Sequence, residues 1–422
     1  MIPIVEYPSV VGSSLPIFRT VFSNPRMKNF ATYITGLMVS TNHTISFMNN
    51  LFYAHNDQSA LNHFITDSSW SDDELDKKRY ELIIDGLKDA DEGDGILEFD
   101  DTLAHKSGKH MEFVGKFFDH TDGTYTLAHN IVSTHIVKGR LSIPLDFEIY
   151  LKEGEYIPKE KFRDKNQIAR ELITKAHSKG IPFTCVTADS WYYNHETTSI
   201  IQSLGKDWVF GCKSNRLVLL PRGWTDISEW SKTIPKEKFK AVEVWYKREK
   251  HVYYCYAKDL IMKNNGRVNV LVSYDNPELE GDPVFLCTNR LDWEVFRILR
   301  TYVKRWRIDT FYRDAKQSLG LEDYEIRKIK GVRRHITMVF IAHTLLELRS
   351  VFSSSSRFGI EAAKTGAYLD TIGSKCRHAS TEILTSFISL VLKIGEKVPD
   401  ARKIASITLS PRSMLSTQFA KV

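Results

Sequence analysis

Three aspartates and a short set of basic and aromatic residues stand where they could act together. Asp101, with its neighbour Asp100, closes the run Ile96-Leu97-Glu98-Phe99, and Asp189 closes the apolar run from Phe183 to Ala188. The ends of strands are the usual positions for active groups in α/β sheets. Side chains alternate along a strand, so Asp100 and Asp101 face opposite ways and only one can meet Asp189; Asp101 is favoured. The third acid, Asp309, lies in a segment that also holds Tyr302, Arg305 and Lys316. At about 100° per residue, a single helix would place these four within an arc of roughly 60°. A carboxylate flanked by a phenol, a guanidinium and an ammonium suits phosphate chemistry. The acid takes a divalent cation, and the basic groups hold phosphate oxygens.

The charge supports a polyanionic partner. Between Arg297 and Arg349 the chain has 13 Lys and Arg against six Asp and Glu, a net of +7 where the whole protein carries +6. One segment therefore holds the entire excess, as a surface that grips phosphates would.

The elements that must position these residues follow from periodicity. Residues 1–94 alternate apolar and polar positions at helical spacing, with a capped start at Ser71-Asp72-Asp73-Glu74. The acidic, glycine-containing stretch 91–95 marks a boundary, and strand patterns follow it. A helix capped by Asp164 and stopped at Gly180 comes next, then the strand ending at Asp189, a second helix and the strand Asp207–Cys212. Residues 206–290 are rich in β-branched and aromatic residues, with a charged turn at Lys247-Arg248-Glu249-Lys250 and a turn at Asn265-Gly266, and read as a β-rich insertion. From Asp292 a helix is expected to run to Gly320, and Ser353 to Ser356 to form a loop. The expected layout is a helical domain (1–94), an α/β core with a mixed sheet (95–205), the insertion (206–290), the rest of the core (291–350) and a C-terminal helical region (351–422).

Other classes fit less well. Hydrophobic residues make up 42% and charged residues 26% of the 422, an ordinary globular balance. No apolar run reaches the roughly 18 residues that span a bilayer, and the first residues lack a secretory leader's pattern. The five cysteines are scattered without a Cys-x-x-Cys pair, which points to a reducing compartment such as the cytoplasm. An aspartic protease would need glycine after Asp101-Thr102 and Asp189-Ser190, where this chain has Leu103 and Trp191.

These residues together resemble the DDE-type insertion-sequence transposases whose RNase H-like core carries a β-rich insertion before its last catalytic residue. That family has a Tyr-x2-Arg-x3-Glu-x6-Lys signature, matched by Tyr302, Arg305, Asp309 and Lys316 with the spacing kept. Its first acid often precedes threonine, as Asp101 precedes Thr102, and its second follows an apolar strand, as Asp189 does. The phrase Tyr33-Ile-Thr-Gly-Leu also resembles the family's leading domain. The resemblance implies catalytic, metal-binding Asp101, Asp189 and Asp309, with Tyr302, Arg305 and Lys316 on DNA phosphates. It further implies two Mg²⁺ (or Mn²⁺) ions, double-stranded DNA as substrate (element ends and target), and a homodimer on DNA with no membrane partner. Cleavage of the ends and joining of each 3′-OH to target DNA would follow. A nuclease that only hydrolyses, and an inactive DNA-binding descendant, are the alternatives. One departure stands out: the family's third acid is normally Glu, and this chain has Asp309, one methylene shorter. Trp245 in the insertion is a candidate for stacking on a base.

Overall fold

The computed structural model describes residues 2–54, 57–88, 90, 93–108, 110–154, 161–246, 249–349 and 371–397. The Lys247-Arg248 turn and the serine loop at 353–356 fall outside these. The chain divides into two compact units.

The first unit is helical and comprises residues 1–86, 106–114 and 313–422. Its helices are α1 (Ser9–Gly12), α2 (Asn24–Val39), α3 (Ile45–Asn50), α4 (Gln58–Thr66) and most of α5 (Asp72–Lys88). Far along the chain, α11 (Ile329–Glu347) and α12 (Ile372–Lys397) join them, both packing on α2. The expected separate N- and C-terminal helical regions are thus one body. The Ser71 hydroxyl caps α5 by accepting from the Glu74 amide at 3.1 Å. Phe22, Phe30, Phe64 and Trp70 form its aromatic centre, with ring centroids 4.9–5.6 Å apart.

Two buried polar groups on α11 are held with care. Arg334 donates to Asp72, to the Ser68 carbonyl at 2.8 Å and to the Trp70 carbonyl at 2.9 Å, with its guanidinium 3.6 Å from the Trp70 ring centre. His335 lies 2.7 Å from the Tyr33 hydroxyl through Nδ1 and 2.8 Å from the Gly320 carbonyl through Nε2. A carbonyl can only accept, so Nε2 carries the proton and Nδ1 accepts from Tyr33.

Burial lowers the His335 pKa from 6.5 to about 3. The unfolded chain therefore takes up a proton that the folded one refuses. The stabilisation is full above pH 6.5 and falls by about 1.4 kcal/mol per unit as pH drops toward 3. Urea midpoints of the parent and of His335→Gln, measured from pH 7 to pH 5, should therefore converge. A constant gap would show that His335 does not couple to folding.

The second unit, residues 87–105 and 115–312, is built on a twelve-stranded sheet. Its core strands are β1 (Ile96–His105), β2 (Gly115–Asp119), β3 (Thr124–Lys138), β4 (Leu141–Tyr150), β5 (Cys185–Ala188) and β6 (Asp207–Cys212). β4 pairs antiparallel with β3 and β3 with β1, while β1, β5 and β6 run parallel. This spatial order, β4-β3-β1-β5-β6, is the RNase H-like arrangement. Helix α6 (Lys165–Ser178) begins at a capping box between Asp164 and Gln167 and buries Ile168, Ala169, Leu172, Ile173 and Ala176. α7 (His195–Ser203) leads into β6. Every residue of β5 is buried, as befits a strand covered on both faces.

The insertion supplies β7 (Leu217–Leu220), β8 (Gly223–Asp226), the short helix α8 (Ile227–Lys232), β9 (Lys240–Tyr246), β10 (Glu249–Met262), β11 (Gly266–Tyr274) and β12 (Val284–Thr288). Asn264 and Gly266, both at positive φ, turn β10 into β11. β6 pairs with β5 as a core strand, so the insertion begins after Cys212 rather than at residue 206. It does not hang off the core: β12 pairs with β6, and the sheet runs on without interruption.

The expected single helix from Asp292 to Gly320 is two. α9 (Val295–Val303) starts after Glu294, and α10 spans Trp306–Leu319. Between them the amides of Lys304, Arg305, Arg307 and Ile308 each bond three residues back, a tighter winding than an α-helix. The four signature residues therefore do not share one continuous helix. Tyr302 lies in the last turn of α9, Arg305 lies in the joint, and Asp309 and Lys316 ride on α10.

Candidate active site

β1 carries its acids on alternating positions, and the two faces have different company. Glu98 and Asp100 point toward the joint between α9 and α10. Asp101 points toward α6, where Lys165 donates to Oδ2 at 2.6 Å, Asn130 to Oδ2 at 3.1 Å and Tyr192 to Oδ1 at 2.8 Å. Lys165 is steadied there between the rings of Tyr150 and Trp191, each about 5.5 Å away.

On the other face Arg305 is the organising group. Its side chain is 13% exposed and reaches Asp100 and Asp309 at 3.3 Å each. Its Nε is buried with no hydrogen-bond partner among the described residues. Burial, then the nearby charges of Asp101 and Asp189, push the Asp100 carboxyl well above the usual range, and Arg305 offsets part of this. Asp189 follows β5 and accepts from the Trp191 amide at 2.9 Å, which fixes its turn. Its charge acts on Asp100, Tyr302 and Arg305. Asp100 and Asp309 thus contact Arg305, and Asp189 is near enough for its charge to act on Asp100 and Arg305, whereas Asp101, the acid favoured from sequence, is held by Lys165, Asn130 and Tyr192.

Gly211 shows how closely the parts approach. A Cβ there would come within 2.8 Å of the Ser190 amide nitrogen and 2.9 Å of the Tyr302 hydroxyl. Tyr302 and the Asp189 turn fill that space, and burial raises the pKa of the phenol. Asp189, Gly211 and Tyr302 line one end of a cavity of about 710 Å³ whose other wall is the insertion, including Tyr274 and Phe285. Lys316 belongs with the helical unit, where its ammonium lies 3.5 Å from Glu322. Trp245 is 72% exposed on β9.

Two residues of this site were missed from sequence. Glu98 is fully buried and accepts from the Ile308 amide at 3.1 Å, placing an acid at the start of α10, where the helix dipole favours it. Burial raises its pKa well above the usual value, with Arg305 the largest opposing influence. Tyr312 donates to the Asp100 carbonyl at 2.8 Å, tying α10 to β1. The signal for Glu98 was present: it is two residues before Asp100 and so on the same face of the strand.

The donor chemistry suits a hard divalent cation, since carboxylate oxygens are its preferred ligands. Asp309 is half exposed, and Asp189 uses only one oxygen in its turn. Among the described residues, no three His, Cys, Asp or Glu side chains converge as a ready metal cage. Lys165 and Arg305 instead stand against the acids.

Known proteins resemble the chain on both sides of this site. Residues 17–224 match the DDE superfamily endonucleases, and residues 163–345 match the transposase DDE domain. A probable transposase for insertion sequence element IS701 from Microchaete diplosiphon is 31% identical over 178 residues. That stretch covers 42% of this chain and 46% of the relative, so the chain spans about half the length of the protein it matches. The cryo-EM structure of the piggyBac transposase synaptic complex with hairpin DNA aligns over 92% of this chain and 78% of that one. The TM-score is 0.46 and the identity 10%.

Proposed function

Because the chain belongs to the DDE-type transposase family, we propose that it cuts double-stranded DNA at the ends of a mobile element and joins the freed 3′-hydroxyls to target DNA. The observation that carries this reading is the contact of Asp100 and Asp309 with the buried guanidinium of Arg305, with Asp189 near enough for its charge to act on it. A set of acids held by a cation at strand ends is what a phosphate-handling site needs once its own charges are redistributed.

Asp189, Asp309 and an acid of β1 would hold Mg²⁺ or Mn²⁺. The shared Arg305 favours Asp100 for the β1 position over Asp101. Two such ions would activate the attacking oxygen and stabilise the leaving one. The chain's own groups do the rest. Arg305 exchanges its carboxylate partners for phosphate oxygens as DNA enters, Tyr302 walls the strand beside Asp189, and Lys316 adds a phosphate contact along α10. Glu98 keeps the start of α10, and with it Asp309, pinned to β1 while these charges shift. No covalent protein intermediate is required. Two ends brought together imply a homodimer on DNA, working at the nucleoid.

The test uses duplexes from the DNA flanking the reading frame, with Mg²⁺, with Mn²⁺ and in chelator. Metal-dependent cutting followed by joining is expected. Cutting without joining would mark a nuclease, and binding without cutting an inactive descendant.

A further inference from the structure

β3 runs on past the acids and turns into a hairpin with β2, and the outer face of that hairpin is unusual. Phe118 is 42% and Tyr125 64% exposed. They are partners across the strand pair, with ring centroids 5.3 Å apart, edge to face. The His120 ring packs on Phe118 at 5.1 Å, and the Lys116 ammonium lies 5.5 Å from the Tyr125 ring centre. The alternate residues of β2, Phe117 and Asp119, are buried, and the Asp119 carboxylate is matched by His105 at 2.7 Å. A half-solvated antiparallel strand normally turns polar groups outward. Here three rings and a lysine face out.

We propose that this face grips the DNA duplex alongside the cut, with Phe118 and Tyr125 against sugars and base edges and Lys116 on a phosphate. The proposal rests on the reading of the chain as a DNA-cutting enzyme. The sheet fixes the distance. Asp100 pairs with Ser133, and Tyr125 lies eight residues further back on the same strand and on the same face. At about 3.4 Å per residue this is roughly 27 Å. DNA rises about 3.4 Å per base pair along a strand, so the hairpin meets the duplex about eight base pairs from the scissile phosphate. Acids and hairpin belong to one hydrogen-bonded sheet, which makes the spacing a property of the fold.

The test compares the full chain with its Phe118→Ser/Tyr125→Ser variant, both sites being exposed. The probes are duplexes from the element boundary that extend either about four or about twelve base pairs from the cleaved phosphate, on each side in turn. The parent should bind the longer duplex more tightly on one side, and the variant should lose about tenfold on that duplex while matching the parent on the short ones. Lys116→Ala should lower the salt slope by about one. A variant that keeps the full advantage of the longer duplex overturns the proposal. So does a variant that differs from the parent only in oligomeric state without DNA, which would assign the face to a second copy. A parent that binds no duplex would overturn the functional reading instead.

Discussion

Asp189→Asn and Asp309→Asn should each lower DNA cutting by on the order of a thousandfold while leaving affinity for the DNA within about twofold. The asymmetry follows from what each side chain touches. A carboxylate that holds a cation acts on charge that develops during the reaction, and losing such a group costs orders of magnitude in rate. Affinity for DNA resides mainly in phosphate contacts made by basic residues. The same measurement applied to β1 discriminates its two acids. Asp100→Asn should fall with Asp189→Asn, because Asp100 shares Arg305 with Asp309. Asp101→Asn should retain more activity, because its partners are Lys165, Asn130 and Tyr192. If Asp101→Asn is the dead variant and Asp100→Asn cuts, the face of β1 that works is the one turned to α6.

Arg334→Met is expected to destabilise the helical unit by about 3 kcal/mol, read from its urea midpoint by hydrogen exchange of the α2 and α11 amides. The methionine keeps the apolar stem but removes every donor. The Ser68 and Trp70 carbonyls lose their partner in a buried place, and Asp72 loses its cation. Removing one member of a buried ion pair costs about 3–5 kcal/mol. Asp72 is more than half exposed and can turn to water, which sets the figure at the lower end. Arg334→Lys should recover less than half, since an ammonium cannot reproduce the planar fork that meets two carbonyls and a carboxylate at once. A loss under about 1 kcal/mol for Arg334→Met would mean that the carbonyls find other donors.

What was legible in the sequence was local. The cap at Asp164, the Ser71 cap, the Asn265-Gly266 turn and the opposed faces of Asp100 and Asp101 each follow from a few neighbouring residues, and each has its counterpart in the structure. The helix joint after Val303 was not legible, because no glycine or proline marks it. Its cause is tertiary: Glu98, some 200 positions earlier, takes the Ile308 amide and resets the helix start. The preference for Asp101 failed to anticipate the geometry for the same reason. A period of two says that the acids differ in face, but only the packing of α9 and α10 says which face meets Asp189. The union of α2 with α11 and α12 lay equally beyond reach, since amphipathic stripes show that a helix is buried and not against which distant partner.

The seam between β6 and β12 determines whether the insertion can be treated as a module. Four residues of β12, from Phe285 to Thr288, pair with four of β6, from Val209 to Cys212. Excising residues 213–288 would strip β6 of that neighbour and leave a row of unsatisfied amides and carbonyls on an apolar strand. An open border of this kind recruits strands from other molecules. A shortened core should therefore self-associate in solution even if every catalytic acid stays in place. The insertion thus serves as the sheet's closure as well as an ornament upon it.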